Sequence, residues 1–385
     1  MSNKPPGDAN MTYEGTGVNY KAMDPFKREA QLAGRETAGN ISRFGFSEVE
    51  WSRGESCHLV ETPWGYIGFV VEGLGTKILV ADALCQLATE VGTLTGKTYY
   101  DQLAQCNAAM AFNDLITLGA LPVVYGQYLA VGESGWFNNE ARRRELIEGT
   151  KRACMSARCV WGGGETPTLK GIVVPGTADL AGATVGIIAP KDRLIRPDSI
   201  QHGDAIVIVE SSGIHANCLT MAREIAAKLP EGYMTKMSDG RLYGEALLDP
   251  TLIYVPVVED CLDFGVEIHY AVNVTGHGWR KLMRAPGSFK YIIETLPRQL
   301  PIFDFIQRNG PVEDREAYGN LNMGAGFVLY VPEKDVEKVF EVLKLGRDLN
   351  RFNAFVAGHV EKSDTKQVVI RPKGLEYSGC ELEVR

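Results

Sequence analysis

The stretch Val71-Glu72-Gly73-Leu74-Gly75-Thr76-Lys77 follows an apolar run, Tyr66-Ile67-Gly68-Phe69-Val70-Val71, that reads as a buried strand. An acid, two glycines, a hydroxyl and a lysine arrive within six positions of the end of that run. Glycines let backbone N–H groups come close to an anion. A lysine offsets phosphate charge, and a carboxylate offers hard oxygens to a divalent metal. A strand-ending turn with a solvated Glu72 and Lys77 fits these residues equally well, so the rest of the chain has to decide.

Working outward, His58-Leu59-Val60-Glu61 and Tyr66 to Val71 read as paired strands around the turn Thr62-Pro63-Trp64-Gly65. Tyr99 to Leu118 has helical spacing and stops at Gly119, with Asn113-Asp114 near its end in apolar company. Cys106 lies eight residues before Asp114, on roughly the same side of that helix. A strand over Leu121 to Tyr125, a helix over Glu140 to Met155, and a strand over Ala183 to Ala189 follow. The polar segment Pro190 to Gly203 is read as a boundary. Beyond it come the apolar strand Ala205 to Val209 and a helix with Leu219, Ala222, Ile225 and Leu229 on one face. Strands alternating with helices in both halves predict an α/β (α+β) protein of mixed sheets and helices. The expected division is an arm over 1–40, flexible and locally basic through Lys21, Lys27, Arg28 and Arg35, then domains over 41–190 and 191–385.

Several function classes are disfavoured by composition. A formal net charge of −8 argues against a general binder of nucleic acid or anionic membrane. No run approaches the roughly 20 apolar residues of a membrane span, and the N-terminal residues lack a signal-peptide core. The eight cysteines contain no C-x-x-C pair and read as reduced thiols of a cytoplasmic protein. The segment Gly92-Thr93-Leu94-Thr95-Gly96-Lys97-Thr98 misses the phosphate-loop spacing by one residue and follows a helical run. Gly73-Leu74-Gly75 lacks the third glycine of a dinucleotide fingerprint.

Other loops carry more. Gly162-Gly163-Gly164-Glu165-Thr166 offers close backbone approach with an acid, and Asp179-Leu180-Ala181-Gly182 a second acid before a strand; flexible turns explain each equally well alone. Ser211-Ser212-Gly213-Ile214-His215-Ala216-Asn217 joins a buried strand to a helix start, where N–H groups and the helix dipole face an anion, although Asn or Ser there also serves as a cap. Thr275-Gly276-His277-Gly278 is a further loop after a strand. Together, Glu72, Asp114, Glu165, Asp179 and Lys77 suit a magnesium-nucleotide site built from loops.

The ordered set of motifs resembles the phosphoribosylformylglycinamidine cyclo-ligase (aminoimidazole ribonucleotide synthetase) family over nearly the whole chain. The family's D-G-V-G-T-K corresponds to Glu72 to Lys77, its V-N-D to Phe112-Asn113-Asp114, its G-G-E-T to Gly163 to Thr166 and its D-x-A-G to Asp179 to Gly182. Its S-S-G-x-H-x-N matches Ser211 to Asn217, its T-G-G-G Thr275 to Gly278, and its F-N-x-G-x-G Leu321 to Gly326; Tyr13, Gly17 and Val18 resemble an early family tyrosine and G-V.

The resemblance implies that family's two-domain fold and ATP-dependent closure of an imidazole ring on a small-molecule substrate. It implies ATP and Mg as cofactors and a homodimer joined through the strands of 41–190. Carried over by position, Glu72, Asp114, Glu165 and Asp179 are the expected metal ligands, and Lys77, His215 and Asn217 the expected catalytic groups. Gly73, Gly75, Thr76, Asn113, Gly163, Gly164, Ser212 and Gly213 are the expected ATP and phosphate contacts. Three positions depart from the pattern: Glu72 stands for Asp, Cys106 for a metal-binding Asp, and His277 for Gly. The alternatives are another ATP user of the superfamily, akin to selenophosphate synthetase or thiamine-phosphate kinase, and a nucleotide-binding protein without turnover.

Overall fold

The computed structural model describes residues 10–17, 20–90, 96–346 and 349–382. The arm is helical where it is described: α1 spans Tyr20–Glu36. Ahead of it Asn10 Nδ2 donates to Glu313 and the Tyr13 N–H donates to Glu316 Oε1 at 2.7 Å, so the arm is tied to the second half instead of hanging loose. The helical spacing seen around Phe26 to Leu32 extends further each way than polarity alone suggested.

A first sheet collects β1 (Ser47–Glu48), β2 (His58–Glu61), β3 (Tyr66–Gly73), β4 (Leu121–Val131), β5 (Val160–Glu165) and β6 (Ala178–Ile188), in the order β1-β2-β3-β6-β4-β5. All neighbours run antiparallel except β4 and β5, which are parallel. The chain reaches β5 from β4 through α4 (Glu140–Ser156), the crossover a parallel pair needs. Two expected loops are therefore strand. Gly162 to Glu165 belongs to the edge strand β5, and Asp179 lies inside β6, because pairing with β4 continues to the end of the glycine run and to Ala178.

Between β3 and β4 come α2 (Lys77–Glu90) and α3 (Tyr100–Leu115). Residues 91–95, which hold most of the near-miss phosphate loop, lie outside the described residues. A helix apolar on every side must be enclosed. Accordingly, α3 buries residues from Tyr100 to Leu115 all around its axis, lying on the inner face of the first sheet. Gly68 and Gly186, paired across β3 and β6, let it come close. A Cβ on Gly186 would stand 2.6 Å from both Leu115 Cδ2 and the Leu121 carbonyl.

The second sheet orders β13-β12-β9-β11-β7-β10-β8. Its strands are β7 (Ala205–Glu210), β8 (Tyr270–Asn273), β9 (Phe289–Ile293), β10 (Ala325–Val331), β11 (Ala354–Lys362), β12 (Gln367–Ile370) and β13 (Leu375–Ser378). Every residue of β10 is buried, as expected of a central strand covered on both sides. A short helix, α5 (Leu219–Lys228), follows β7 and buries Leu219, Ala222 and Ile225 as its periodicity predicts. The architecture is thus α/β, with two mixed sheets and helices between and around them.

The close approach at Gly186 yields a test. Gly186→Ala should lower unfolding free energy by about 1–3 kcal/mol through overpacking against Leu115 and the Leu121 carbonyl. Chemical denaturation of the variant against wild type measures it; equal midpoints would show that α3 can move away.

Candidate functional site

Side chains alternate along β3, so Gly68, Val70 and Glu72 face inward toward α3 while Phe69 and Val71 face out. Glu72 therefore points to the seam between the halves, where α3 presents Asp114. The Asp114 carboxylate accepts a 2.7 Å hydrogen bond from Asn273 Nδ2 at the end of β8. Burial, followed by repulsion from Asp114, pushes the Glu72 carboxyl up to about 7; Lys281 and Arg284 pull the other way.

Those two cations were not singled out from sequence. Both sit in the Trp279 to Arg284 segment that follows the Thr275-Gly276-His277-Gly278 loop. Lys281 is buried, donates to Thr275 Oγ1 at 2.5 Å, and is held below the usual lysine range by burial. Arg284 donates to Ser56 Oγ at 2.8 Å and to the Gly54 carbonyl. The available signal was a run of basic residues among apolar ones, Trp279-Arg280-Lys281-Leu282-Met283-Arg284, just past a glycine loop. His277, in the left-handed region at φ 70°, is pushed down to about 4, first by burial and then by Arg280, Lys281 and Lys27. Two carboxyls of the first half thus meet two cations of the second across the seam.

The four expected metal ligands do not converge within one chain. Glu72 pairs with Gly182 of β6, and Asp179 lies three residues further along that strand, an odd offset that puts the two carboxylates on opposite faces. Glu165 pairs with Tyr128 at the exposed edge. Among the described residues no three His, Cys, Asp or Glu side chains form a metal-binding group. Glu72 and Asp114 alone share a site.

The expected catalytic groups sit deeper than anticipated. Lys77 has no exposed surface, and its Nζ donates to Cys106 Sγ (3.1 Å), the His215 carbonyl (2.7 Å) and the Asp249 carbonyl (2.9 Å). Its three N–H donors are all matched by protein acceptors. Cys106, in the same way, bonds lysine and the Thr251 N–H (3.3 Å). The His215 ring is buried and its Nε2 accepts from the Ser212 N–H at 3.3 Å; burial and Lys77 push its titration down to about 3, so it is neutral. Asn217 Oδ1 accepts from the Gly276 N–H at 3.2 Å, joining the two loops of the second half.

Of the expected phosphate contacts, Asn113 is a bracket. It donates to the Leu252 carbonyl at 2.8 Å and accepts from the Tyr254 N–H at 2.9 Å, so both ends of its amide hold the second half. Ser212 Oγ donates to the Pro250 carbonyl at 2.6 Å, and the Gly213 carbonyl accepts from Asn322 Nδ2 at 2.9 Å. Gly164 lacks a side chain for a different reason than ligand approach: a Cβ there would stand 1.7 Å from the Gln127 carbonyl. Gly73, Gly75 (φ +67°) and Gly163 (φ +110°) have open space where a Cβ would be, and Thr76 is half-buried beside them. His215 and Cys218 both hold left-handed backbone, at φ 60° and 58°, in the loop ahead of α5. Such conformers cost of order 1–3 kcal/mol each and gather at functional loops.

Comparison with known proteins covers both halves. Residues 67–188 match the family model described as AIR synthase related protein, N-terminal domain, and residues 201–371 match its C-terminal domain. The chain is 34% identical to a phosphoribosylformylglycinamidine cyclo-ligase of Carboxydothermus hydrogenoformans, covering 77% of this chain and 81% of that protein. It is 36% identical to the Methanocaldococcus jannaschii protein of that name (77% and 79%) and 30% identical to that of Symbiobacterium thermophilum (94% and 99%). Among solved structures it resembles a HypE–HypF complex (TM-score 0.56, 14% identity, 86% of this chain and 94% of that one). It also resembles AaThiL complexed with AMPPCP and TMP (TM-score 0.55, 14% identity, 84% and 90%). At that identity the two structures speak for the fold alone.

The raised Glu72 sets a pH dependence. A carboxyl lifted from 4.5 to about 7 on folding favours the native state while protonated, and that contribution is lost as pH rises through 7. In EDTA, wild-type stability should therefore fall between pH 5 and 8 by roughly 1–3 kcal/mol more than that of Glu72→Gln. Parallel denaturant titrations check this, and identical slopes for the two proteins would contradict it.

Proposed function

The chain belongs to the AIR synthase related family of phosphoribosylformylglycinamidine cyclo-ligases, and from that premise we propose that it closes the imidazole ring of aminoimidazole ribonucleotide. The substrate is formylglycinamidine ribonucleotide, ATP is consumed, and ADP and phosphate are released, a step of purine biosynthesis. The carrying observation is similarity along 94% of this chain and 99% of a relative of that name. In the reaction the formyl amide oxygen takes the γ-phosphoryl group, the amidine nitrogen attacks the activated carbon, and the C–O bond to phosphate breaks as the ring forms.

Each part of the site supports a role in this chemistry. The open loop Gly73-Leu74-Gly75-Thr76 borders the nucleotide phosphates, with Lys281 and Arg284 offsetting their charge from the opposite wall. Two carboxylates, Glu72 and Asp114, fit a magnesium ion that takes its remaining ligands from phosphates and water. That ion, when bound, would screen charge on the transferred phosphoryl group. Strong basicity is not expected of His215, whose neutral ring accepts the Ser212 N–H and shapes the loop. The remaining expected contacts, Gly163, Glu165 and Asp179, stand at the edge and outer face of the first sheet.

That outer face supports a homodimer. Phe69, Val71, Val123, Val160 and Ile187 leave 46%, 59%, 44%, 65% and 37% of their surface exposed on neighbouring strands of one sheet. Adjacent exposed apolar side chains of this kind mark association surfaces. A second copy placed there would also cover the edge strand β5 and the exposed acids beside it. A cytoplasmic location is supported by cysteine spacing, which contains no C-x-x-C pair. Among the described residues no helix is long and apolar enough to cross a membrane.

Incubating the purified protein with formylglycinamidine ribonucleotide and Mg-ATP should release one phosphate per imidazole formed, followed by diazo coupling of the product's aromatic amine. ATP consumption with no imidazole would point to another ATP user of the superfamily, and ATP binding without turnover to a regulatory protein. Separately, Val71→Lys should convert a dimer of about 84 kDa, twice the 42.2 kDa chain, to monomer in light scattering; an unchanged mass would remove this face as the interface.

A further inference from the structure

Lysine is almost never fully buried, because an ammonium stripped of water needs every proton matched. Lys77 meets that condition: three N–H groups, three acceptors, no exposed surface. The acceptors come from three separate segments. Cys106 belongs to α3, the His215 carbonyl to the loop after β7, and the Asp249 carbonyl to the turn before Thr251. None of them is a carboxylate; that of Asp249 is taken by Arg241 at 2.6 and 2.9 Å.

Further bonds converge on the same three segments. The Thr251 N–H donates to Cys106 Sγ at 3.3 Å, Gln105 Nε2 to the Thr251 carbonyl at 2.8 Å, and Ser212 Oγ to the Pro250 carbonyl at 2.6 Å. His215 keeps its left-handed backbone because two contacts hold it at once, the ring through the Ser212 N–H and the carbonyl through Lys77. Lys77 also follows Thr76 directly. The residue that ends the nucleotide-bordering loop of the first half is therefore the one that grips the facing loop of the second.

We propose that Lys77 is a positioning residue for the ring-closing reaction, setting the distance and register between the Glu72–Thr76 loop and the Ser211–Asn217 loop, and not a phosphate ligand. This rests on the ATP-dependent reading above for its effect on turnover, but its structural half does not. Without the ammonium, the His215 and Asp249 carbonyls lose their shared donor, the strained loop relaxes, and the two loops no longer face one nucleotide at a fixed separation. A displacement near 1 Å at such a distance from the chemistry costs on the order of a hundredfold in rate.

The test uses the full chain as Lys77→Met, which keeps the length of the stem and removes the donors. Hydrogen exchange of the nucleotide-free protein should speed up by about tenfold or more in residues 211–217 and 249–252, and stay unchanged in β10. In the cyclisation assay kcat should fall about a hundredfold with a smaller change in KM for ATP. Unchanged exchange with a raised KM for ATP alone would identify a direct phosphate contact and overturn the proposal. Should Lys77→Met not fold, reductive methylation of native wild type decides. The Lys77 amine should stay unmodified with or without Mg-ATP, and modification that ATP prevents would overturn the assignment. A wild-type protein that forms no imidazole would fail the proposed reaction while leaving the exchange result to judge the clamp.

Discussion

Lys77 joins the halves of this protein through two hydrogen bonds, to the His215 and Asp249 carbonyls, and a third ties it to Cys106 of its own half. Three separate segments each supply one acceptor to the buried Lys77 Nζ. Its neighbour α3 is buried along most of its length and brings Cys106 and Asn113 to the seam as polar side chains with defined partners. A buried polar group left unmatched costs about 1–3 kcal/mol, which makes these bonds selective about register. The seam is held in one arrangement because few others would satisfy every donor.

Charge divides across the same seam. Burial first, and repulsion from Asp114 second, lift the Glu72 carboxyl to about 7. Lys281 and Arg284 only partly offset it. A site poised this way gains from a ligand that brings a cation to the acids and anions to the bases, and a metal nucleotide has that distribution. Burial first, and nearby cations second, push both His215 and His277 down, Lys77 acting on the former and Arg280, Lys281 and Lys27 on the latter.

Much of the fold was legible in the sequence. Periodicity located α3, α4 and α5 closely, because each buries a stripe or a whole surface that has to be apolar. Strand ends were less visible: β4 runs on to Val131 and β5 takes in the glycine triplet, since pairing partners far along the chain decide where a strand stops. The arm looked unstructured by polarity, yet Asn10 and Tyr13 are fastened by Glu313 and Glu316, more than 300 positions away. No local pattern carries that information.

The site divides along the same line. Motif order alone identified the loops, the acids and the family, because residue types and spacings are properties of the chain. Which of those residues share a site is a property of the folded sheets. Strand alternation puts Glu72 inward and Asp179 outward, three positions apart on paired strands and on opposite faces. Burial turned Lys77 from an expected phosphate ligand into a clamp and drew in Lys281 and Arg284 from a segment with no motif of its own. The stretch from Glu72 to Lys77 fitted a phosphate-facing loop or a plain turn equally well by its composition, and the order of the other motifs favoured the first. Only tertiary packing decided that its acid faces the seam and its lysine faces away from solvent, since an ammonium goes where its three acceptors are.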